Sequence, residues 1–242
     1  MLASKVPNAR ISVLNYRSQW FGFGSVDQRI ENVADQLLHE LRRLRTADSK
    51  IPIIFICHCL GGIVLEQALL TARLRQNDYP SIFPSVAGCI FLGTPFHGTE
   101  TQSKAMVLAK MAETIGMGYT STMMKLLEKD SATLLKMLDE FVRLCNDAQI
   151  RVFCFYEALS SDIASVLIKG LPFRTPELVV DKDSATYPGV DSLELFSDHF
   201  QLNKYTGPKD EKFAIVSYEI KVTAQRAPGI IKARQNGKFL LH

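Results

Sequence analysis

The chain has 242 residues, 47% of them hydrophobic, and a formal net charge of +3 at pH 7. This length suits one large α/β domain or two small ones, and the apolar content is enough for a substantial core. Acidic and basic residues are intermixed, so the chain lacks the basic stripe of a nucleic-acid-binding protein. It contains no apolar run of about 18 residues, so we predict no transmembrane helix.

Alternating strands and helices are predicted along the chain from runs of apolar residues and their spacing. The predicted strands are Arg10–Tyr16, Pro52–His58, Val86–Leu92, Arg151–Tyr156 and Glu177–Val180. The predicted helices are Gln28–Thr46, Leu60–Leu74 and Lys209 to about Gln225, with a long, mostly helical insertion at Gln102–Asn146. Short apolar strands between helices predict a doubly wound, mostly parallel sheet in a single α/β domain over residues 1–242.

The segment Ile53–Gly62 joins a predicted strand to a predicted helix through a turn of the form small-x-nucleophile-x-Gly. This is the context of a nucleophile elbow, which holds its nucleophile on a strained turn above the sheet. Cys59 occupies the nucleophile position. The residues two positions away on either side must be small, or they would clash across the tight turn, and Cys57 and Gly61 meet this demand. The backbone N–H of Leu60 would donate to an oxyanion, and a helix N-terminus favours the thiolate form of a cysteine.

Two other interpretations of this segment are weaker. Cys57, His58 and Cys59 could belong to a metal site, but no second Cys/His pair lies at ligand spacing, so we predict no metal. The two cysteines could instead be structural, because a free thiol packs as a small hydrophobe. The following Leu60-Gly61-Gly62 favours the elbow. All five cysteines of the chain lack framework spacing, which predicts a reduced, intracellular protein.

Polar residues follow several predicted strands, where a parallel sheet places its ligands. Cys59 lies at the end of the predicted strand that begins at Pro52, and Glu157 at the end of the one that begins at Arg151. Asp181 follows the predicted strand Glu177–Val180. Later in the chain comes His199. Nucleophile, acid and histidine in this order predict a catalytic triad in which the histidine carries the proton and the acid orients the imidazole. Glu157 and Asp181 both remain candidates for the acid.

Five ordered segments carry a resemblance to a known family: Phe55–Val64, Phe91–Thr99, Phe155–Glu157, Val179–Ala185 and Asp198–His199. They resemble a lipase-like α/β-hydrolase family. It includes the serine-active-site-containing protein and the hydrolase domains that precede NACHT or NB-ARC modules in fungal NOD-like proteins. The resemblance runs from about Asn8 to Ile220. It implies an α/β-hydrolase fold, and its Phe-Tyr-Glu segment slightly favours Glu157 over Asp181 as the acid.

The resemblance also implies esterase- or lipase-like chemistry on an acyl ester or lipid, without a cofactor. The insertion at residues 102–146 resembles the lid of such hydrolases, although plain helix packing explains its methionines equally well. The implied location is the cytoplasm, with association to mitochondria or the endoplasmic reticulum and peripheral contact with a membrane. A nucleotide-binding module would lie beyond His242.

Two departures from the family's pattern bear on activity. The family has Ser at the position of Cys59. Its members also begin with a strand and a Gly-rich loop that supplies a second oxyanion donor. The sequence starts after these elements, so either it is a fragment or the loop has been lost. Loss of one such donor would cost about 3–4 kcal/mol of transition-state stabilisation. Three hypotheses remain open: an esterase with a cysteine nucleophile, a Ser-to-Cys variant of an active enzyme, and a degenerate hydrolase domain that acts as a signalling or interaction module.

Overall fold

A computed structural model describes residues 1–14, 30–45, 49–114, 121–163 and 176–236. The strands in the described residues are β1 (Ile53–His58), β2 (Val86–Leu92), β3 (Arg151–Glu157), β4 (Ser161–Asp162), β5 (Pro176–Glu177) and β6 (Asp191–Leu195). The α-helices are α1 (Leu2–Lys5), α2 (Ile30–Leu44), α3 (Leu60–Leu74), α4 (Gln102–Thr114), α5 (Ser121–Leu126), α6 (Ala132–Asp147), α7 (Lys182–Ala185) and α8 (Glu211–Gln235).

Within the described residues, the central sheet has four parallel strands in the order β1-β2-β3-β6. Every strand therefore ends at the same edge, and His58, Leu92, Glu157 and Leu195 are the last residues of the four strands. Because loops at the carboxyl ends of parallel strands converge, this edge can assemble a site from distant parts of the sequence. The predicted parallel sheet with flanking helices is confirmed.

Strand alternation sends side chains to two faces of the sheet. One face carries Cys89, Phe91 and Cys154 into the larger core, where α3 packs between the sheet and α2 and also contacts α6. The other face carries Ile90 and Phe155 against α8. These strands read as nearly continuous apolar runs because both faces are covered.

Helix α8 lies close to the sheet at Gly88. A Cβ atom there would lie 2.3 Å from the Thr223 Cγ2 atom, so only glycine fits. At the far end of α8, the buried Arg234 donates hydrogen bonds to the carbonyls of Pro84, Val86 and Ala148. Helix α8 runs on past the predicted end near Gln225 to Gln235, with Pro228 inside it.

Two strand predictions are wrong. Arg10–Leu14 has no strand, and the rest of that prediction, through Tyr16, lies outside the described residues. The predicted strand Glu177–Val180 is reduced to β5, which pairs antiparallel with β4, while Val179 and Val180 form a bend. The backbone N–H groups of that bend donate to the Glu157 carboxylate instead of to a strand partner.

The insertion is helical, as predicted, in its described parts. Its helices α4 and α6 place Ala105, Val107, Leu108 and Met137 in the larger core, so packing is at least part of their role. Within the described ranges, no helix is both long enough and apolar enough to cross a membrane.

Candidate active site

Cys59 lies between the last residue of β1 and the first residue of α3, with φ 53° and ψ −132°. A positive φ at a non-glycine residue is a strained conformation that the surroundings must hold in place. Three hydrogen bonds do so. The N–H of Cys59 donates to the Leu92 carbonyl at 3.0 Å, and the Cys59 carbonyl accepts from the Gly62 N–H at 3.0 Å and from Thr94 Oγ1 at 3.2 Å.

The glycine that the elbow requires is one position later than the sequence pattern suggested. A Cβ atom at Gly61 would meet no heavy atom within 4 Å, apart from its own helix and chain neighbours. A Cβ atom at Gly62 would lie 2.1 Å from Thr94 Oγ1. The expectation that Gly61 must be small to avoid a clash is therefore wrong, because the tight approach is between α3 and the loop after β2.

His199 and Glu157 form a buried pair at the same edge of the sheet. The His199 Nδ1 and Glu157 Oε2 atoms are 2.7 Å apart, and the exposed fractions of the two residues are 0% and 1%. The second carboxylate oxygen, Oε1, accepts hydrogen bonds from the backbone N–H groups of Val179 and Val180, the latter at 3.1 Å. Glu157 is thus satisfied on both oxygens, which makes a buried carboxylate tolerable.

Cys59, like Glu157, affects the pKa of the His199 imidazole. Burial lowers the pKa of His199, but the negative charges and hydrogen bonding of Cys59 and Glu157 outweigh burial and leave the pKa raised above its usual value. The buried Nε2 atom of His199 has no partner of full hydrogen-bond geometry in the described part of the chain. The thiol therefore acts on the imidazole electrostatically, without a hydrogen bond of full geometry to Nε2.

The backbone of the His199 loop is anchored separately from its ring. A 3-10 turn, His199–Gln201, follows β6, and the Asp198 carboxylate caps it by accepting from the N–H groups of Phe200 and Gln201. The ring Nε2 of His58 lies 2.9 Å from the backbone carbonyl oxygen of His199. Side chain and main chain of His199 are thus held by different partners.

Asp181, the second candidate for the acid, has a different partner. Its Oδ1 accepts a hydrogen bond from the Ser184 N–H at 2.8 Å and so caps the short helix α7. Capping by Asp is the usual way to satisfy the first N–H groups of a helix. The structure therefore brings Glu157, and not Asp181, to His199.

Leu60 is the first residue of α3, and its exposed fraction is 1%. The first four N–H groups of a helix have no acceptor within that helix, and the positive end of the helix dipole lies there. Cys59 is thus next to a backbone donor and a favourable field for negative charge. A cysteine, and a histidine that is hydrogen-bonded to a carboxylate, suit acyl transfer through a covalent intermediate.

Sequence reasoning missed three supports of the site. The Val179–Val180 bend holds Glu157, Thr94 holds the elbow carbonyl, and Gly93 lies against the His199 ring, where a Cβ atom would be 3.1 Å from its Nδ1. Gly93 has φ 59°, which favours glycine. The Gly93-Thr94-Pro95 run after β2 was the sequence signal that could have indicated Gly93 and Thr94. The valines gave none, because an apolar pair resembles a strand.

The topology, the strained turn after β1 and the order of the three residues are those of an α/β-hydrolase fold. Protein SERAC1 of Danio rerio is 26% identical over 207 residues, which are 84% of this chain and 29% of the relative. Protein SERAC1 of Homo sapiens is 26% identical over 170 residues, 69% of this chain and 25% of the relative. The chain thus spans less than a third of the length of these relatives.

Among solved structures, the lipase BlEst2 of Bacillus licheniformis in its mature form aligns with a TM-score of 0.47 and 20% identity, over 72% of this chain and 69% of that one. A family model described as "Putative serine esterase (DUF676)" matches residues 1–154. That range includes Cys59 and ends before Glu157 and His199. Since the match covers well over half of the 242 residues, the chain belongs to this serine esterase family.

Proposed function

We propose that the chain cleaves carboxylic esters by acyl transfer, with Cys59 as the nucleophile, His199 as the proton carrier and Glu157 as the carboxylate that orients it. The observation that carries the proposal is the buried 2.7 Å hydrogen bond between Glu157 and the imidazole that interacts with Cys59. A structural ion pair would explain the hydrogen bond. It would not explain why the same ring interacts with a cysteine whose backbone is held in a strained conformation.

Acylation starts from a Cys59 thiolate beside a protonated His199, the state that the raised pKa of His199 supports. The sulfur attacks the ester carbonyl carbon, a C–S bond forms, and the carbonyl oxygen takes the electron pair. The Leu60 N–H donates to this oxyanion. The oxyanion then re-forms the carbonyl, the ester C–O bond breaks, and His199 gives its proton to the departing alkoxide. A thioester remains on Cys59.

Hydrolysis of the thioester returns the site to its first state. Neutral His199 accepts a proton from a water molecule as that water attacks the thioester carbonyl. The C–S bond breaks, the carboxylic acid product leaves, and Cys59 is again a thiolate beside a protonated imidazole. Throughout the cycle Glu157 keeps three hydrogen-bond partners, the His199 ring and the backbone N–H groups of Val179 and Val180, and so holds the imidazole in place.

The substrate that we propose is an acyl ester or a lipid. Support comes from the family's description as a serine esterase and from the apolar insertion next to the loop after β2. Peripheral contact with a membrane would accompany a lipid substrate. The location in the cytoplasm, the association with organelles and a nucleotide-binding module in a longer protein remain parts of the same proposal.

The test is trapping of the acyl-enzyme. The protein is mixed with p-nitrophenyl butyrate, quenched in acid and analysed by peptide mass spectrometry, with p-nitrophenolate release followed in parallel. We expect butyryl on Cys59 and slow, Cys59-dependent turnover. The Cys59→Ala variant should lose both signals, and Cys145→Ala, which removes a buried thiol of α6, should keep both.

The opposite result would favour a degenerate hydrolase domain that acts as a signalling or interaction module. No butyryl on Cys59, together with equal background hydrolysis by the parent protein and the Cys59→Ala variant, would remove the esterase proposal. The observation behind this second candidate is the thiol itself, because the resembled family has Ser at this position.

A further inference from the structure

We propose that His58 is a positioning residue that ties the nucleophile to its proton carrier. Its ring holds the backbone carbonyl of His199, and its own main chain is the immediate neighbour of Cys59. This inference rests on the proposed function, because it assigns His58 a part in setting the geometry between Cys59 and His199.

The contact has a defined donor and acceptor. The Nε2 atom of His58 lies 2.9 Å from the His199 carbonyl oxygen, and a carbonyl can only accept. The neutral His58 ring must therefore carry its proton on Nε2. The two imidazole rings lie 5.2 Å apart between centroids, with planes inclined by 38°. His58 thus contacts His199 through both a hydrogen bond and its ring.

This bond supplies a constraint that the other anchors of His199 do not. Glu157 fixes the rotation of the imidazole, and Asp198 caps the turn that begins at His199. Neither connects the turn to β1. His58 is the last residue of β1, so a single hydrogen bond joins the strand that ends in the elbow to the backbone of His199. A shift of about 1 Å between reacting groups can reduce a rate by about 100-fold.

His58 is also suited to this place by its charge state. Burial, followed by the positive charge of His199, lowers the pKa of His58 to about 4, with Lys204 contributing in the same direction. His58 therefore stays neutral at physiological pH beside an imidazole whose pKa is raised. A permanently charged side chain at position 58 would repel the protonated His199 that acylation requires.

The experiment compares two replacements of His58 in the complete chain. His58→Gln keeps an N–H donor near the place of Nε2, and His58→Leu removes the donor but keeps apolar bulk. The same pair at His39, which packs on Tyr79 away from the site, is the matched control. Three quantities are measured: kcat and KM for p-nitrophenyl butyrate, the alkylation rate of Cys59 by iodoacetamide from peptide mass spectrometry, and the NMR titration of the His199 ring.

We expect His58→Leu to lower kcat and the Cys59 alkylation rate by about 10- to 100-fold with little change in KM. The titration midpoint of His199 should move down towards that of an ordinary histidine, because its contacts with Cys59 loosen. His58→Gln should keep kcat, the Cys59 alkylation rate and the His199 titration midpoint close to the parent values. Both His39 variants should match the parent protein.

A purely structural His58 would give another pattern. His58→Leu and His58→Gln would then lower the melting temperature alike while alkylation and the His199 titration stayed at parent values, and this outcome would overturn the proposal. The alkylation and NMR measurements need no turnover. A parent protein without esterase activity would therefore overturn the proposed function alone, while the His58 inference would still be decided by these two measurements.

Discussion

Two carboxylates compete for one role in the sequence, and their surroundings separate them. Glu157 accepts from His199 and from two backbone N–H groups, whereas Asp181 accepts from the first turn of α7. Both residues follow predicted strands, so no pattern of spacing could rank them. The difference lies in which loop folds back over the end of β3, which is a tertiary property.

Glu157→Gln should lower the rate of Cys59 acylation by about 100-fold or more, because the neutral amide no longer stabilises a protonated imidazole. The His199 titration midpoint should fall in the same variant. Asp181→Asn is the matched control, since Asn caps helices as well as Asp does. Stopped-flow release of p-nitrophenolate measures the acylation rate. An equal loss in Asp181→Asn would show that the acid has been assigned to the wrong residue.

Glu66 is a buried carboxyl that the proposed chemistry does not use. It lies on α3 with an exposed fraction of 1%, and its Oε1 has no hydrogen-bond partner among the described residues. Burial raises the pKa of Glu66 well above its usual range. The folded protein therefore keeps Glu66 protonated where an unfolded chain would ionise it.

This shift has a definite sign for stability. Above the unfolded pKa of about 4.3, the folded state binds more protons at Glu66 than the unfolded state, so stability falls as pH rises towards the folded pKa. Glu66→Gln removes that dependence. From pH 5 to pH 7, we expect the free energy of unfolding of the Glu66→Gln variant to fall by about 1–3 kcal/mol less than that of the parent protein. Urea unfolding at both pH values measures this, with the surface residue change Glu40→Gln as the control; parallel behaviour of all three proteins would contradict it.

At the scale of elements, the elbow depends on how closely α3 approaches the loop after β2. Gly62→Ala should destabilise the protein by about 1–3 kcal/mol, because the new methyl group would displace Thr94 and its hydrogen bond to the Cys59 carbonyl. Gly61→Ala has room, and alanine favours a helix, so it should be neutral or stabilising by up to about 1 kcal/mol. Thermal unfolding of the two variants compares them directly, and equal stability would show that the loop adapts without cost.

The elements that the sequence predicted well are those that begin and end at clear boundaries of an apolar run. The bounds of β2 and α3 match the prediction, and β1 and β3 differ from it by one residue, because continuous apolar runs bounded by turns have few other interpretations. The strand β6 was missed, since Asp-Ser-Leu-Glu-Leu is mostly polar and four of its five residues are not buried. At an edge of the sheet, pairing with β3 decides the structure, and composition gives little indication of it.

Only the part of the candidate site that follows from the order of residues along the chain could be predicted. Cys59, His199 and a carboxylate at a strand end follow from the order that this fold requires. The backbone donors of Val179 and Val180 and the tether from His58 could not be predicted, because each joins residues far apart in sequence. Strand alternation predicts that the His58 and Cys59 side chains point to opposite sides, but it gives no indication of the carbonyl that the His58 ring meets.

At the scale of the whole molecule, one side chain connects three layers. Arg234, near the end of α8, donates to carbonyls that precede and begin β2 and to the carbonyl of Ala148 after α6. Its exposed fraction is 6%, and burial lowers its pKa, so its charge is maintained by these carbonyl oxygens. Among the described residues, Arg234 stabilises the edge of the sheet where the strands begin. The candidate site lies at the opposite edge, where the strands end.

Arg234→Met should therefore lower the free energy of unfolding by about 2–4 kcal/mol, since three buried or partly buried carbonyls would lose a charged donor. Arg226→Met, at an exposed position of the same helix, should change it by about 0.5 kcal/mol or less. Urea unfolding followed by circular dichroism gives both values. Because the two edges of the sheet are distinct, Cys59 alkylation in the folded Arg234→Met protein should keep the parent rate. A loss of alkylation at denaturant concentrations where the variant is still folded would show instead that the amino edge controls the geometry of the site.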